Sequence, residues 1–170
     1  MLRYETCLAK VCAEEILAYG QVNMKMYYIF TWLTEHEHLA KGTEAVVIKL
    51  YEGEVLVAYS LFESYEKRKD KIINYQGETY QDLGVIHFVT FPEYRKKGYA
   101  SLLADKLVDE IIQPLLARHS HCRAYVTATG RAVPLIQRTN LDKKHLVTQF
   151  YSDLTFTDKV VKQVTPYILK

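Results

Sequence analysis

Apolar and polar positions follow two rhythms along this chain. Residues 45–51 (Ala-Val-Val-Ile-Lys-Leu-Tyr) and 54–62 are dense in Val, Leu, Ile and Tyr and flank Glu52-Gly53. Two such runs around a glycine turn predict an antiparallel hairpin. Residues 85–91 (Val-Ile-His-Phe-Val-Thr-Phe) form the clearest strand, and Pro92 ends it because proline has no N–H for a ladder. Over residues 98–116 the period becomes helical. Leu103, Leu107 and Ile111 recur every four residues with Val108, Ile112 and Leu115 alongside, while Asp105, Lys106, Asp109 and Glu110 fall on the other face. Pro114 is expected to kink or end the regular part. A strand over 123–128, a helix over 130–138 and strands over 145–151 and 164–169 follow, the last interrupted by Pro166. Pro134 fits that helix only near its first turn, where backbone donors have no helical partner.

The flanking segments are plainer. A short strand over 4–9 and helices over 13–19 and 21–39 precede the hairpin, and Lys41-Gly42 supplies a helix stop. Residues 63–82 are polar. Their Lys67-Arg68-Lys69-Asp70-Lys71 run reads as a solvated turn, and residues 72–75 and 79–83 around Gly77 predict a small hairpin extension. The order of elements predicts a mixed α/β sheet with one central parallel crossover.

Composition narrows the class. The 170 residues suit one domain, 1–170, without repeats, low complexity or a linker. Hydrophobic residues are 49% and charged residues 25%, as in soluble globular proteins. Lys and Arg number 22 against 20 Asp and Glu, without the basic excess of a nucleic-acid binder. No apolar run reaches the roughly 18 residues of a membrane span, and the start lacks a signal-peptide pattern. The expectation is a cytoplasmic protein without nucleic-acid or membrane partners. Cys7, Cys12 and Cys122 cannot all pair and form no Cys-x-x-Cys, which reads as free thiols in a reducing compartment. Cys122 stands beside His121 with no oriented Cys-His-Asn set, so it reads as a small buried apolar residue. Glu35, His36, Glu37 and His38 are spaced so that like pairs do not share a helix face, which reads as a solvated helix end. No metal site is expected, and no Ser-His-Asp set or Walker loop is present.

Chemistry concentrates in residues 88–100, Phe-Val-Thr-Phe-Pro-Glu-Tyr-Arg-Lys-Lys-Gly-Tyr-Ala. A strand ends at a proline, a short cationic loop follows, and a long helix starts at about Gly98. The first helical turn has unpaired N–H groups, and the helix dipole adds partial positive charge. Gly98 clears a side chain from where a ligand would approach, Ala100 keeps the next turn small, and Arg95, Lys96 and Lys97 add charge. Together these make a cradle for a pyrophosphate.

Arg95-Lys96-Lys97-Gly98-Tyr99-Ala100 resembles the coenzyme A loop of the GNAT superfamily of N-acyltransferases. There Arg or Gln is followed by two free positions, Gly, one free position, then Gly or Ala, and Pro92-Glu93-Tyr94 matches a common prefix. The resemblance extends over about residues 45–151, and the first 40 residues fit the family's two variable helices. It implies a GNAT-like mixed, mostly antiparallel sheet flanked by helices, with a central β-loop-α-β unit that binds acyl-CoA. It implies acetyl-CoA as co-substrate and acetyl transfer to a primary amine, on a small molecule or a protein, by direct attack in a ternary complex. Members are often monomers or homodimers.

By the same resemblance, Phe88, Val89 and Thr90 lend main-chain groups to the pantetheine arm. The amides of residues 96–101, ending at Ser101, hold the pyrophosphate, and Thr129 stands where the family often has Asn. The family's proton-donating Tyr falls at Ile136, which has no proton to give. Tyr125, Tyr151, water or unaided departure of the thiolate are the alternatives. The family's base positions hold Gly84 and Ile86. His87 is the nearest titratable group, on the opposite sheet face by parity unless a bulge re-aims it. His87 and Tyr125 are thus the candidate catalytic residues. The departures at Ile136 and at the base also leave a second reading, a catalytically degenerate GNAT-fold protein that binds CoA or a protein partner.

Overall fold

The β-branched and aromatic runs assemble into a seven-stranded sheet. The computed structural model describes residues 1–18, 26–27, 29–31 and 43–149. The strands are β1 (Leu2–Leu8), β2 (Glu44–Glu52), β3 (Val55–Ser64), β4 (Ile72–Tyr75), β5 (Glu78–Thr90), β6 (Arg123–Thr129) and β7 (Leu146–Gln149). The helices are α1 (Ala9–Ala18), α2 (Tyr99–Leu107), α3 (Gln113–Arg118) and α4 (Ala132–Gln137), and residues 26–27 and 29–31 are helical too. The sheet order is β1-β2-β3-β5-β6-β7, with β4 pairing β5 off this path. The pairings among β1 to β5 are antiparallel, while β5–β6 and β6–β7 are parallel. The sheet is therefore mixed, mostly antiparallel and flanked by helices. Most of the helix expected over 21–39, the stop at 41–42, the Glu35–His38 group, Tyr151 and the strand over 164–169 lie outside the described residues.

Two expectations need correction, and the one about Pro114 is resolved between its alternatives: the regular α-helix is interrupted but the helix does not end. There are two parallel crossovers, not one, because α4 carries the chain over to a β7 that runs parallel to β6. Residues 79–83 and 85–91 are not two strands: β5 is continuous over 13 residues and contains Gly84. Pro114 does not stop its helix. α2 runs into a π-turn, Val108–Ile112, in which the Gln113 N–H donates to the Val108 carbonyl. The extra residue accommodates Pro114 near the start of α3, and the helix continues to Arg118. It also rotates the apolar stripe, so that Ile112 is fully buried and Ile111 only partly.

Each sheet face carries its own core. On one face Leu103, Leu107, Ile112 and Ile136 pack against Ile48, Phe62, Leu83 and Ile86. On the other, Ile16 of α1 together with Met26 and Phe30 covers Val47, Tyr59, Leu61 and Val89. A buried ammonium fixes α1 to this second face. Lys49 Nζ lies 2.8 Å from Glu15 and 3.0 Å from Glu5, and the Tyr51 hydroxyl donates to Glu15 at 2.6 Å. Burial pulls the Lys49 pKa down, but the bonds to Glu15, Tyr51 and Glu5 outweigh it, so the side chain stays charged. The three cysteines are free. Among the described residues, no helix is long and apolar enough to cross a membrane.

Candidate active site

β5 and β6 pair from Tyr80↔Arg123 to Ile86↔Ala128 and then part. Residues 87–90 keep their antiparallel partners on β3, but among the described residues they have no strand on the β6 side. This open edge lines a cleft of about 530 Å³. The other wall is the loop that leads into α2. A 3-10 turn, Pro92–Tyr94, is followed by two residues in the left-handed region, Lys96 (φ 66°) and Gly98 (φ 79°). The first helical bond runs from the Leu102 N–H to the Gly98 carbonyl at 3.2 Å. The N–H groups of Tyr99, Ala100 and Ser101 thus have no acceptor within the helix. The Tyr99 hydroxyl donates to Glu52 at the end of β2 and ties this first turn to the β2–β3 hairpin. A Cβ at Gly98 would meet nothing within 4 Å, so in the free protein the backbone angle, not crowding, selects glycine there.

Most of the residues singled out from sequence meet in this cleft. Phe88, Val89 and Thr90 line it from the strand, Arg95, Lys96, Gly98, Tyr99, Ala100 and Ser101 from the loop and first turn, and Thr129 from the end of β6. Lys97 is not part of the lining; its ammonium lies 5.5 Å from the centre of the Tyr94 ring. Arg131, which caps α4, adds a cation that was not singled out. Among the described residues no carboxylate forms an ion pair with Arg95, Lys96 or Arg131, so the positive charge of this end is available to an anion.

His87 also lines the cleft. A β-bulge lies upstream of it and does not re-aim it. The β5–β6 register shifts between Asp82 and Val85, Gly84 takes φ 144°, and its N–H donates to Asp82 Oδ1 at 3.0 Å. Leu83 and Ile86, three apart in sequence, therefore both face the α2 core. His87 lies opposite Ile86, as parity requires, and with Val89 it faces the α1 side. That face is not remote from the site, because the parting strands open the cleft through the sheet to Met26. There His87 Nε2 sits 2.9 Å from Glu63 Oε2, and both side chains are mostly buried. Glu63 was missed because it begins a polar stretch. Only the β3–β5 register, Glu63↔Val85 and Leu61↔His87, brings it beside the imidazole.

Two other residues fall away from the cleft. Tyr125, the register partner of Asp82, is fully buried with Tyr80 and Val147, and its hydroxyl has no hydrogen-bond partner. Burial, then the Asp82 carboxylate, push its pKa upward. Asp82 itself is buried, which pushes its carboxyl up to about 7 against the Gly84 N–H and the charges of Lys71 and Arg68. In α4 Ala132 and Leu135 line the cleft, while Ile136 is fully buried in the core.

The sequence profile of the Acetyltransferase (GNAT) family matches residues 9–135. The chain belongs to this family. The match runs from α1 through the cationic loop and the parting strands into α4, and so includes every element that builds the cleft. No curated protein and no solved structure matches the chain. For a GNAT acetyltransferase the general chemistry is acyl transfer, and the cleft offers what that needs: an open strand edge, converging N–H donors and unpaired cations.

Proposed function

We propose that this GNAT protein transfers an acetyl group from acetyl-CoA to a primary amine, on a small molecule or a protein, in a ternary complex. The observation that supports the reading is a single cleft in which the open edge of residues 87–90 meets the amides and cations of the loop. The pyrophosphate lies on the N–H groups of residues 99–101 beside Lys96 and Arg131. The pantetheine arm pairs with the main chain of Phe88, Val89 and Thr90 and fills the gap that β6 leaves. Positioning supplies most of the rate, and main-chain donors polarise the thioester carbonyl. Glu63 accepts the Nε2–H of His87, which leaves Nδ1 to take the proton of the attacking amine. The amine nitrogen bonds to the carbonyl carbon, the C–S bond breaks, and the departing thiolate takes a proton from water, since Ile136 has none.

Calorimetric titration with acetyl-CoA tests this directly. The wild type is expected to bind at micromolar concentration. Gly98→Asp, which places a carboxylate where the pyrophosphate sits, weakens binding about 100-fold, roughly 2.7 kcal/mol. Gly98→Asn, of equal size and similar tolerance of the left-handed region, loses far less. A folded wild type that binds nothing sinks the proposal and favours the interaction-module reading, for which the buried Ile136 is the supporting observation. With a panel of primary amines, from polyamines to lysine peptides, His87→Ala should lower kcat about 100-fold at unchanged acetyl-CoA affinity. An unaltered kcat would remove His87 from the mechanism.

A further inference from the structure

We propose that the turn between α3 and β6 binds one zinc-class divalent cation through His119, His121 and Cys122. The side chains come from the run His119-Ser120-His121-Cys122, and one candidate ligand atom from each lies within 4.8 Å of the others. Tetrahedral zinc held by imidazole and thiolate needs ligand atoms about 3.3–3.8 Å apart, a closure that side-chain rotation covers. Two imidazoles and a thiolate suit zinc and its neighbours and not magnesium or calcium.

A second observation supports the assignment. Glu66 Oε2 lies 2.8 Å from His119 Nε2, and Arg118 holds the same carboxylate at 3.1 and 3.3 Å. The carboxylate fixes the proton of His119 on Nε2 and leaves Nδ1 as the ligand, the carboxylate–histidine–metal arrangement that orients imidazoles at metal centres. The nearby cations are compensated: Arg118 by Glu66, Arg123 by Glu78 at 3.6 Å and Lys144 by Asp142 at 3.7 Å. His119 and Cys122 border a cavity of about 380 Å³ at the N-terminal end of β6, opposite the end that faces the acetyl-CoA cleft. It leaves room for a fourth ligand such as water. His145 shares this cavity but directs Nδ1 to the Ala124 carbonyl at 2.8 Å. The Cys122 thiol donates to the His119 carbonyl at 3.6 Å, and the cation displaces its proton to solvent. The expectation of no metal rested on the absence of Cys-x-x-Cys and of paired histidines on a helix, and a tight turn satisfies neither pattern.

The test uses metal-free protein titrated with Co²⁺ and then Zn²⁺. One Co²⁺ per chain should give a near-ultraviolet thiolate-to-cobalt absorption that one equivalent of Zn²⁺ abolishes. Cys122→Ser should remove the band. His121→Ala, at an exposed side chain whose loss leaves the fold intact, should weaken Zn²⁺ binding at least tenfold, and Glu66→Gln about tenfold. Acetyl-CoA affinity of His121→Ala should match the wild type. No band, a band that survives Cys122→Ser, or Zn²⁺ affinity unchanged by His121→Ala would each overturn the site.

Discussion

Gly84→Ala is expected to lose more than about 4 kcal/mol of stability, a cost that only severe backbone or core disruption produces. At φ 144° only glycine is unstrained. A Cβ there would lie 2.0 Å from the Glu63 carbonyl oxygen and 2.8 and 2.9 Å from the Phe62 ring. The first belongs to the sheet backbone and the second to a fully buried side chain, so neither can yield. Urea denaturation followed by circular dichroism measures the effect. Gly53→Ala provides the comparison: its φ is 62° with nothing within 4 Å of the new Cβ, so it should cost only about 1–2 kcal/mol. If Gly84→Ala proved as mild as Gly53→Ala, the bulge would not be held in solution.

Asp82→Asn should have the opposite sign and depend on pH. Burial raises the Asp82 carboxyl to about 7, whereas in the unfolded chain it titrates near 3.9. The folded state therefore holds the proton more tightly. Below about pH 4 both states are protonated and Asp82 is harmless. As pH rises towards 7 the unfolded chain gains from ionising a carboxyl that the folded chain must keep neutral. Above about pH 7 the penalty is complete, at roughly 4 kcal/mol. Asparagine removes the charge and keeps an oxygen to accept the Gly84 N–H. The variant should match the wild type near pH 4 and exceed it by roughly 2–4 kcal/mol at pH 8. Denaturation midpoints at the two pH values read this out. Equal midpoint differences at both would mean that Asp82 is solvated in the folded protein.

Both substitutions fall on the stretch where sequence reading was weakest. Regular elements were legible because their apolar periods differ: the hairpin around Gly53 and the amphipathic helix after Gly98 stand in the structure, and the strand read over 85–91 is the second half of β5. The loop was legible because Arg95, Gly98 and Ala100 match the spacing of the GNAT coenzyme A loop and lie between an apolar strand and an amphipathic helix. Gly84 misled, since a lone glycine ordinarily punctuates a segment, while Pro114 marked an interruption of the regular helix but not its end. In this fold a bulge uses the glycine and a π-turn absorbs the proline, and neither has a local signature. Glu63 was illegible for a different reason. Its role depends on a register partner 24 residues away in sequence, and pairing register is set by the whole sheet.

The parting of β5 and β6 also bears on solubility. An unpaired strand edge is a template for another chain, and proteins usually blunt such edges with charges, bulges or short lengths. The open stretch, residues 87–90, is short, Arg95 Nε donates to the Thr90 carbonyl at 3.3 Å, and the edge is recessed within the sheet. β3 closes one flank, the diverging β6 stands on the other, and the loop carrying Arg95 and Lys96 borders the entrance. The edge is thus reached through the cleft and not from the margin of the sheet. The fold can therefore keep hydrogen-bonding groups open for a ligand without offering them to the self-association that an equally bare strand would invite at the margin of the sheet.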